Sequence, residues 1–315
     1  HESRSRSRSF GPRSGVIMLT YKAVIIQDSI NRVGERLTTM ELTYPRFIHA
    51  EVMTHRDRAR NAASSRAIPW NKMKDHLGVV PIAFGMEKPG MQTGEPLPEH
   101  LAFLAKAIWE EGERRMRMFG DALHNIGETY DRLRSESYDP LQDVLGIRIV
   151  DPRPNDPTIK VHKSICNRLT EPWMWITVIM SATSWKNFFR LRCHGDAEIH
   201  FQRIAGMAKD ALEASAPMER RLHLPYVTPS ERSTLSEGVL KRISTARCAR
   251  VSYKTHDGEA NVKKDLTLFE RLVLGSGFGH WSPHEHVATA DPGKRSGCFV
   301  GWRQFRKEWD NECAD

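Results

Sequence analysis

The apolar residues of this chain fall into runs whose period changes along its length. Tyr21 to Gln27 (YKAVIIQ) and Leu37 to Leu42 (LTTMEL) are short, β-branched and apolar, with the turn-forming Asn31 to Gly34 between them, so two strands are predicted. Pro45 then opens a helix in which Phe47, Ile48, Val52 and His55 share helical spacing, while Arg46, His49 and Glu51 point elsewhere. Leu101 to Ile126 reads as one long amphipathic helix, with apolar residues at 101, 104, 108, 116, 119, 123 and 126. Val161 to Phe189, rich in Trp, Ile, Val and Met, reads as a largely buried helical hairpin, and Asp196 to Ser215 as an amphipathic helix on Ile199, Ile204, Met207, Ala211 and Leu212. Further helices are predicted over Ser236 to Ser252 and Asp265 to Leu274. The connections are a long Gly/Pro-rich stretch from Pro81 to Pro98, a surface loop from Asp139 to Thr158, a linker from His223 to Pro229 and a mixed Gly/aromatic tail from Gly297. No repeat is visible, and strands followed mostly by helices make an α+β arrangement.

Length and composition narrow the class. The 315 residues suit one large domain or two small ones. No apolar run approaches the roughly 18 to 20 residues that cross a bilayer, which excludes a transmembrane helix. Five Cys, at 166, 193, 248, 298 and 313, form no C-x-x-C pair and are odd in number, against a disulfide scaffold or zinc ribbon; a reducing cytoplasm is the expected setting. Lys and Arg number 47 against 39 Asp and Glu, a net charge of +8 that suits anionic partners. Residues 1–17 (HESRSRSRSFGPRSGVI) hold four Arg and one Glu, so +5 of the +8 belongs to the rest. That Ser-Arg segment reads as a disordered leader or tag remnant ahead of a single catalytic domain over 18–315.

Three segments carry candidate chemistry. Thr54 to Arg66 (THRDRARNAASSR) follows the Pro45 helix, so Arg forks and neutral Ser and Asn side chains can project from a fixed scaffold toward a phosphorylated ligand; a solvated basic face is the plainer alternative. Trp185 to His194 (WKNFFRLRCH) holds Arg190 and Arg192 two apart, so only one faces a given ligand. Gly279 to His286 (GHWSPHEH) is a Gly/Pro-shaped turn with three His, yet no other Cys/His group has metal spacing, so no metal is expected. There is no G-x-S-x-G elbow, Walker loop or strand-linked G-x-G-x-x-G, and Gly275 to Gly279 follows a helix. Without an enzyme nucleophile, a cofactor is expected to do the chemistry.

Together these segments resemble the flavin-dependent thymidylate synthases, and more closely their phage-type members. Against the signature R-H-R-x-x-S-x-N-E-x-S-x-R-Y, Thr54 to Ala67 keeps His55, Arg56, Asn61, Ser64 and Arg66, and departs at Thr54, Ala59, Ala62 and Ala67. Val161 to Pro172 resembles the A-R-x-x-L-P element, which puts Arg168 at a nucleotide-binding arginine. Ser184 to Arg192 resembles S-L-x-N-F-x-x-L-R, which puts Asn187 at a flavin contact and Arg192 at a second nucleotide-binding arginine. The family's opening blocks, A-R-V-S-Y and G-H-x-S-x-x-E-H, occur here as Ala249 to Tyr253 and Gly279 to His286, after the arginine blocks. The order therefore looks circularly permuted, and His286 is expected beside the His55–Arg56 end of the first helix.

The resemblance covers roughly residues 36 to 70 and 160 to 290. It implies a small sheet with long helices, and a homotetramer that binds FAD at subunit interfaces. The implied reaction methylates C5 of a pyrimidine deoxynucleotide, dUMP to dTMP, with methylenetetrahydrofolate as one-carbon donor and NADPH as reductant. Arg192, Ser64 and His286 would be catalytic. His55, Arg56, Asn187 and His286 would hold FAD, and Glu51, Ser64, Arg66, Arg168 and Arg192 the nucleotide. Glu51 stands where the family commonly has Gln, and a carboxylate can accept from the exocyclic amine of cytosine, so methylation or hydroxymethylation of dCMP for phage DNA modification is the alternative. The cytoplasm of a bacterial host would be the setting if the protein is phage-encoded, with no membrane and no nucleic-acid partner. A reading of another class, a non-catalytic basic nucleic-acid binder, requires exposed aromatics along a basic groove. Trp173, Trp175, Trp185, Phe188 and Phe189 lie in apolar surroundings instead.

Overall fold

Two β-branched runs joined by a tight turn start the central sheet. The structure, a computed structural model, describes residues 19–135, 138–150, 153–252, 261–274 and 279–309. β1 (Lys22–Ile30) and β2 (Arg36–Pro45) pair antiparallel, each longer than predicted. Asn31 Oδ1 accepts from the Val33 and Glu35 N–H groups and Gly34 turns the chain at a φ of 88°, which a side chain would strain.

The helix expected from Pro45 is much shorter. A 3₁₀ turn at Arg46–Ile48 and α1 (His49–Val52) complete it, so His55 lies in a loop. Side chains end it: Thr54 Oγ1 donates to the Glu51 carbonyl at 2.6 Å, and Arg60 Nη1 donates to the Met53 and His55 carbonyls. The C-terminal carbonyls of the helix are thus satisfied without further turns. The basic run continues as β3 (Ala59–Ala62), an edge strand, and then α2 (Trp70–Met73).

α3 (Glu99–His124) follows the irregular 81–98 stretch and, at 1.5 Å per residue, is about 39 Å long. Its one buried residue is Gly120, where an added Cβ would sit 2.3 Å from the Trp70 ring. The predicted stripe of Leu101, Leu104 and Ile108 is exposed, because that end of α3 runs past the core. α4 (Ile126–Ser135) and α5 (Pro140–Leu145) follow, and α5 replaces the start of the expected surface loop: Asp139 caps it through the Leu141 N–H, and Gly146 ends it in the left-handed region.

The largest departure is the expected helical hairpin at 161–189. It contains α6 (Lys163–Leu169), the strand β4 (Trp175–Ala182) and α7 (Lys186–Arg192). The run WITVIMSA is apolar and β-branched because β4 lies between β2 and β3 with both faces covered, and such a run has no period to tell strand from buried helix. α8 (Ile199–Glu213), capped by Glu198, matches its prediction, and β5 (Met218–Glu219) adds a short parallel edge. The five-stranded sheet runs β3-β4-β2-β1-β5.

β6 (Leu222–His223), α9 (Pro229–Thr234), α10 (Glu237–Arg250) and α11 (Val262–Leu274) follow, the first two inside or beside the expected linker. A 3₁₀ turn at Ser282–His286 leads into β7 (Ala288–Ser296) and β8 (Phe299–Gln304), which with β6 make a second, antiparallel sheet. Strands therefore also follow the helices, rather than only preceding them.

The sheet has unlike faces. Met40, Leu42 and Tyr44 stand opposite Met180, Val178 and Ile176, and this face packs on Ile48, Val52, Phe188, Phe201 and Ile204, each burial contributing about 1.5–3 kcal/mol. The other face presents Thr39, Thr43, Thr177 and Ser181, with Thr43 hydrogen-bonded to Thr177. The Ser282–His286 turn packs on β3 on this side, and Cys248 and Val251 cover Ile179. Among the described residues no helix is long and apolar enough to cross a membrane.

Candidate functional site

The loop after α1 and the end of α7 bring two predicted residues into contact. Arg192 Nε donates to His55 Nε2 at 2.7 Å, and Arg192 Nη2 to Thr54 Oγ1 at 3.4 Å, while the guanidinium lies 4.5 Å over the Phe201 ring. His55 packs edge-on against Phe188 and Phe201. Burial above all, then Arg58 and Arg192, push its pKa down to about 4, so the ring is neutral and its proton sits on Nδ1. A role for His55 on FAD must therefore run through Nδ1 or the ring face, since Nε2 is taken. Glu51 is half-buried, and burial and the nearby Glu198 raise its pKa against Arg192 and His200.

The turn after β3 gathers a second group. The Ser64 hydroxyl accepts from the Arg66 N–H at 3.2 Å, and the Ala67 and Ile68 N–H groups donate to the Ser64 carbonyl. α6 is tied to this turn by Asn167, fully buried, whose Nδ2 donates to the Ser65 and Ile68 carbonyls at 2.7 and 3.0 Å. Lys163 Nζ donates to the Ala67 carbonyl. Ser64, Arg66 and the helix carrying Arg168 thus share one corner.

Arg56, Arg66 and Arg168 are exposed, and their guanidinium groups have no side-chain partner among the described residues. Arg46, by contrast, pairs with Glu171, and Arg58 pairs with Asp57 while stacking 4.4 Å over Phe188 and 4.9 Å over Trp185. Asn187 is exposed and accepts from Arg190 Nη2 at 3.2 Å; Arg190 and Arg192 diverge as expected. No hydrogen bond or ion pair joins Arg56, Asn187 or Arg168 to His55 or Arg192 among the described residues.

His286 corrects one expectation. It is fully enclosed, and its Nδ1 lies 2.8 Å from Ser181 Oγ, so within this chain it presents no atom to an open flavin face. Burial lowers its pKa to about 3. Yet Ser181 stands opposite Ala59 in the β3–β4 ladder, so the turn does pack beside the basic segment. Ser252, of the other out-of-order block, accepts from the Ser64 N–H at 3.1 Å, and Tyr253 lies outside the described residues. His284 is separately buried, and no three His, Cys, Asp or Glu side chains among the described residues come together to hold a metal ion.

Sequence reasoning missed Asn167, Ser181 and His223, because a lone polar residue among apolar neighbours gives no signal of its burial, and Arg58, because nothing in a basic run tells the one buried arginine from the exposed ones. The aromatics fit a core: Trp185 and Phe188 are buried, and Trp173, Trp175 and Phe189 are partly so. A cleft of about 670 Å³ between α3, α4 and α5 lies elsewhere, and its Arg114 and Arg132 already pair with Glu111 and Asp139.

No family model matches the chain, and no curated protein matches it. Two solved structures similar to it are both of the flavin-dependent thymidylate synthase ThyX from Helicobacter pylori complexed with FAD and dUMP. They are 14% and 13% identical, each match covers 56% of this chain and 67% of that one, and both TM-scores are 0.29. At that score the function has to be argued from this chain's own residues.

Proposed function

We propose that this protein catalyses flavin-dependent C5 methylation of a pyrimidine deoxynucleoside monophosphate, dUMP to dTMP, with methylenetetrahydrofolate and NADPH as co-substrates. The observation that carries the proposal is the packing of the out-of-order blocks: Ser252 bonds to Ser64, and His286 bonds to the residue opposite Ala59. A permuted order requires that proximity, and a random similarity of short motifs does not.

The donor set fits the anionic groups involved. Arg56, Arg66 and Arg168 are exposed cations without side-chain partners, suited to the phosphates of FAD and nucleotide. Asn187 is a neutral contact for the flavin ring. Bound FAD, reduced by NADPH, would supply the reducing equivalent. Arg192, held by His55 and Thr54, offers its remaining N–H groups to a pyrimidine carbonyl, and Ser64 orients the nucleotide. His286 acts from beneath, by holding β4 beside the basic segment. A homotetramer with sites at subunit interfaces would bring together the groups that do not meet within one chain. Methylation or hydroxymethylation of dCMP is the second reading, favoured by Glu51, which lies half-buried near Arg192 and whose carboxylate can accept from the exocyclic amine of cytosine.

Incubation with dUMP or dCMP, methylenetetrahydrofolate, NADPH and FAD, followed by mass analysis of the nucleotide, separates these readings. A net gain of one CH2 unit on dUMP, methyl in place of hydrogen, supports the first and a gain on dCMP the second. A colourless protein that takes up no FAD and alters neither nucleotide ends both.

A further inference from the structure

The polar face of the sheet carries a run of side chains that leads to the His286–Ser181 contact and that the proposed chemistry otherwise does not use. Arg232 Nη2 donates to Gln27 Oε1 at 2.8 Å, Gln27 Nε2 donates to Ser29 Oγ at 3.1 Å, and Ser29 Oγ lies 2.9 Å from His223 Nδ1. His223 Nε2 is 2.7 Å from Thr39 Oγ1, which is 2.5 Å from Ser181 Oγ, which is 2.8 Å from His286 Nδ1. Ser29, His223, Thr39, Ser181 and His286 are all fully enclosed. The run ends at His286 Nε2, which is buried without a hydrogen-bond partner among the described residues, as is Asn61 Oδ1 on β3, the strand against which the Ser282–His286 turn packs.

Counting protons gives the run a direction. A guanidinium only donates, so Gln27 turns its carbonyl oxygen to Arg232 and its amino group to Ser29. The Ser29 hydroxyl proton then goes to His223 Nδ1. Burial keeps both rings neutral, holding His223 well below the usual histidine range and His286 at about 3. A neutral His223 that accepts at Nδ1 donates from Nε2 to Thr39, Thr39 donates to Ser181, and Ser181 donates to His286 Nδ1.

We infer that Arg232 and Gln27 polarise this run so that His286 stands as the Nε2–H tautomer, a buried neutral donor within the seam between the Ser282–His286 turn and the sheet. Its complement is an uncharged acceptor, a carbonyl oxygen or a water. Gln27, Ser29, His223, Thr39 and Ser181 are then positioning residues for His286, whether or not the chain binds FAD.

Ring-nitrogen NMR on the full chain labelled with ¹⁵N-histidine, assigned with His286→Gln and His223→Gln, reads each tautomer directly. Both rings should be Nε2–H in the unmodified protein, and an Nδ1–H signal for His286 overturns the inference. Gln27→Glu should reverse the run, because a carboxylate accepts from both Arg232 and Ser29. Ser29 would then accept from His223 Nδ1–H, and His286 would switch to Nδ1–H about four side chains away from the change. Thr39→Val, which cuts the run in the middle, is the second variant and should leave His286 as a mixture of tautomers. A His286 spectrum unchanged in whichever of these variants folds refutes the coupling.

Discussion

Replacing Asp265 by Asn should cost more stability than any other single isosteric change on the C-terminal layer. Its carboxylate is fully buried, accepts from Arg247 Nε at 2.8 Å and pairs with Arg250 Nη2 at 2.6 Å. Arg247 also donates to Glu231 and to the Tyr226 carbonyl, which fixes Tyr226 at its unusual φ of 62°. The side chains of Arg247 and Arg250 are only 4% and 10% exposed, and while Arg247 keeps Glu231, the amide would leave the Arg250 guanidinium out of water without a carboxylate. Removing one partner of a buried pair typically costs about 3–5 kcal/mol, against the roughly 5–15 kcal/mol stability of an ordinary domain. Urea unfolding followed by circular dichroism should show that loss, and Asp265→Asn with Arg250→Met should recover part of it, since the second change removes an unpaired charge. The connection to the site is short: α10 leads directly to Ser252, so the Ser64 amide should lose hydrogen-exchange protection in the single variant. A loss below about 1 kcal/mol, against that 3–5 expectation, would refute the account of the cluster as a clamp.

Three further outcomes follow from the same geometry. Arg192→Ala should weaken dUMP binding by roughly one to two decades, the effect of a lost charge-assisted bond, and raise the His55 pKa from about 4 by removing a neighbouring positive charge; unchanged values in calorimetry and NMR titration would count against the site. Asn167→Ala should cost about 1–3 kcal/mol because two buried carbonyls lose their donor, and nucleotide affinity should fall with it, as the turn holding Ser64 and Arg66 loses its tie to α6. Acid should destabilise the fold through His223 and His286: their folded pKa values lie below the unfolded 6.5, so the unfolded chain binds more protons as pH drops from about 6.5 toward 3, at about 2 kcal/mol per histidine by pH 5. A stability flat between pH 7 and 5 in urea titrations would show that these rings are not held neutral.

Periodicity was legible where one face met water and illegible where none did. α8 alternates apolar and polar at helical spacing and forms where that spacing predicts it, while β4, covered on both faces, has no polar phase to betray its period. The Pro45 helix is shorter than its apolar spacing predicts because its end is made by Thr54 and Arg60 side chains bonding to carbonyls, which the apolar pattern does not encode. At the site, Arg192 and His55 meet although 137 residues separate them, a contact the sequence does not show: the motif resemblance marks both residues but gives them to different ligands. No element is predicted over β7 (ATADPGKRS), where Pro292 and Gly293 interrupt any strand pattern, and the structure accommodates them at a register irregularity between Ala290 and Arg295.

Ser64 separates a binding site from a nucleophile-based one. Its hydroxyl accepts from the Arg66 N–H, its carbonyl accepts from Ala67 and Ile68, and its N–H donates to Ser252, so its backbone is held from both sides. No histidine or carboxylate hydrogen-bonds to the hydroxyl among the described residues, and without such a base a serine at its ordinary pKa is a weak nucleophile. The exposed arginines nearby make the same hydroxyl a natural partner for an anionic ligand. Ser64→Ala preserves every backbone bond and removes only the hydroxyl. It should therefore lower turnover of the nucleotide by about one to two decades, the scale of one lost hydrogen bond to a charged group, and leave measurable activity. Stopping the reaction in acid and digesting the protein should yield the Ser64 peptide at its unmodified mass. Complete loss of activity in a folded Ser64→Ala variant, together with a nucleotide adduct on that peptide, would replace the orienting role with covalent catalysis and remove the need for a flavin-borne mechanism.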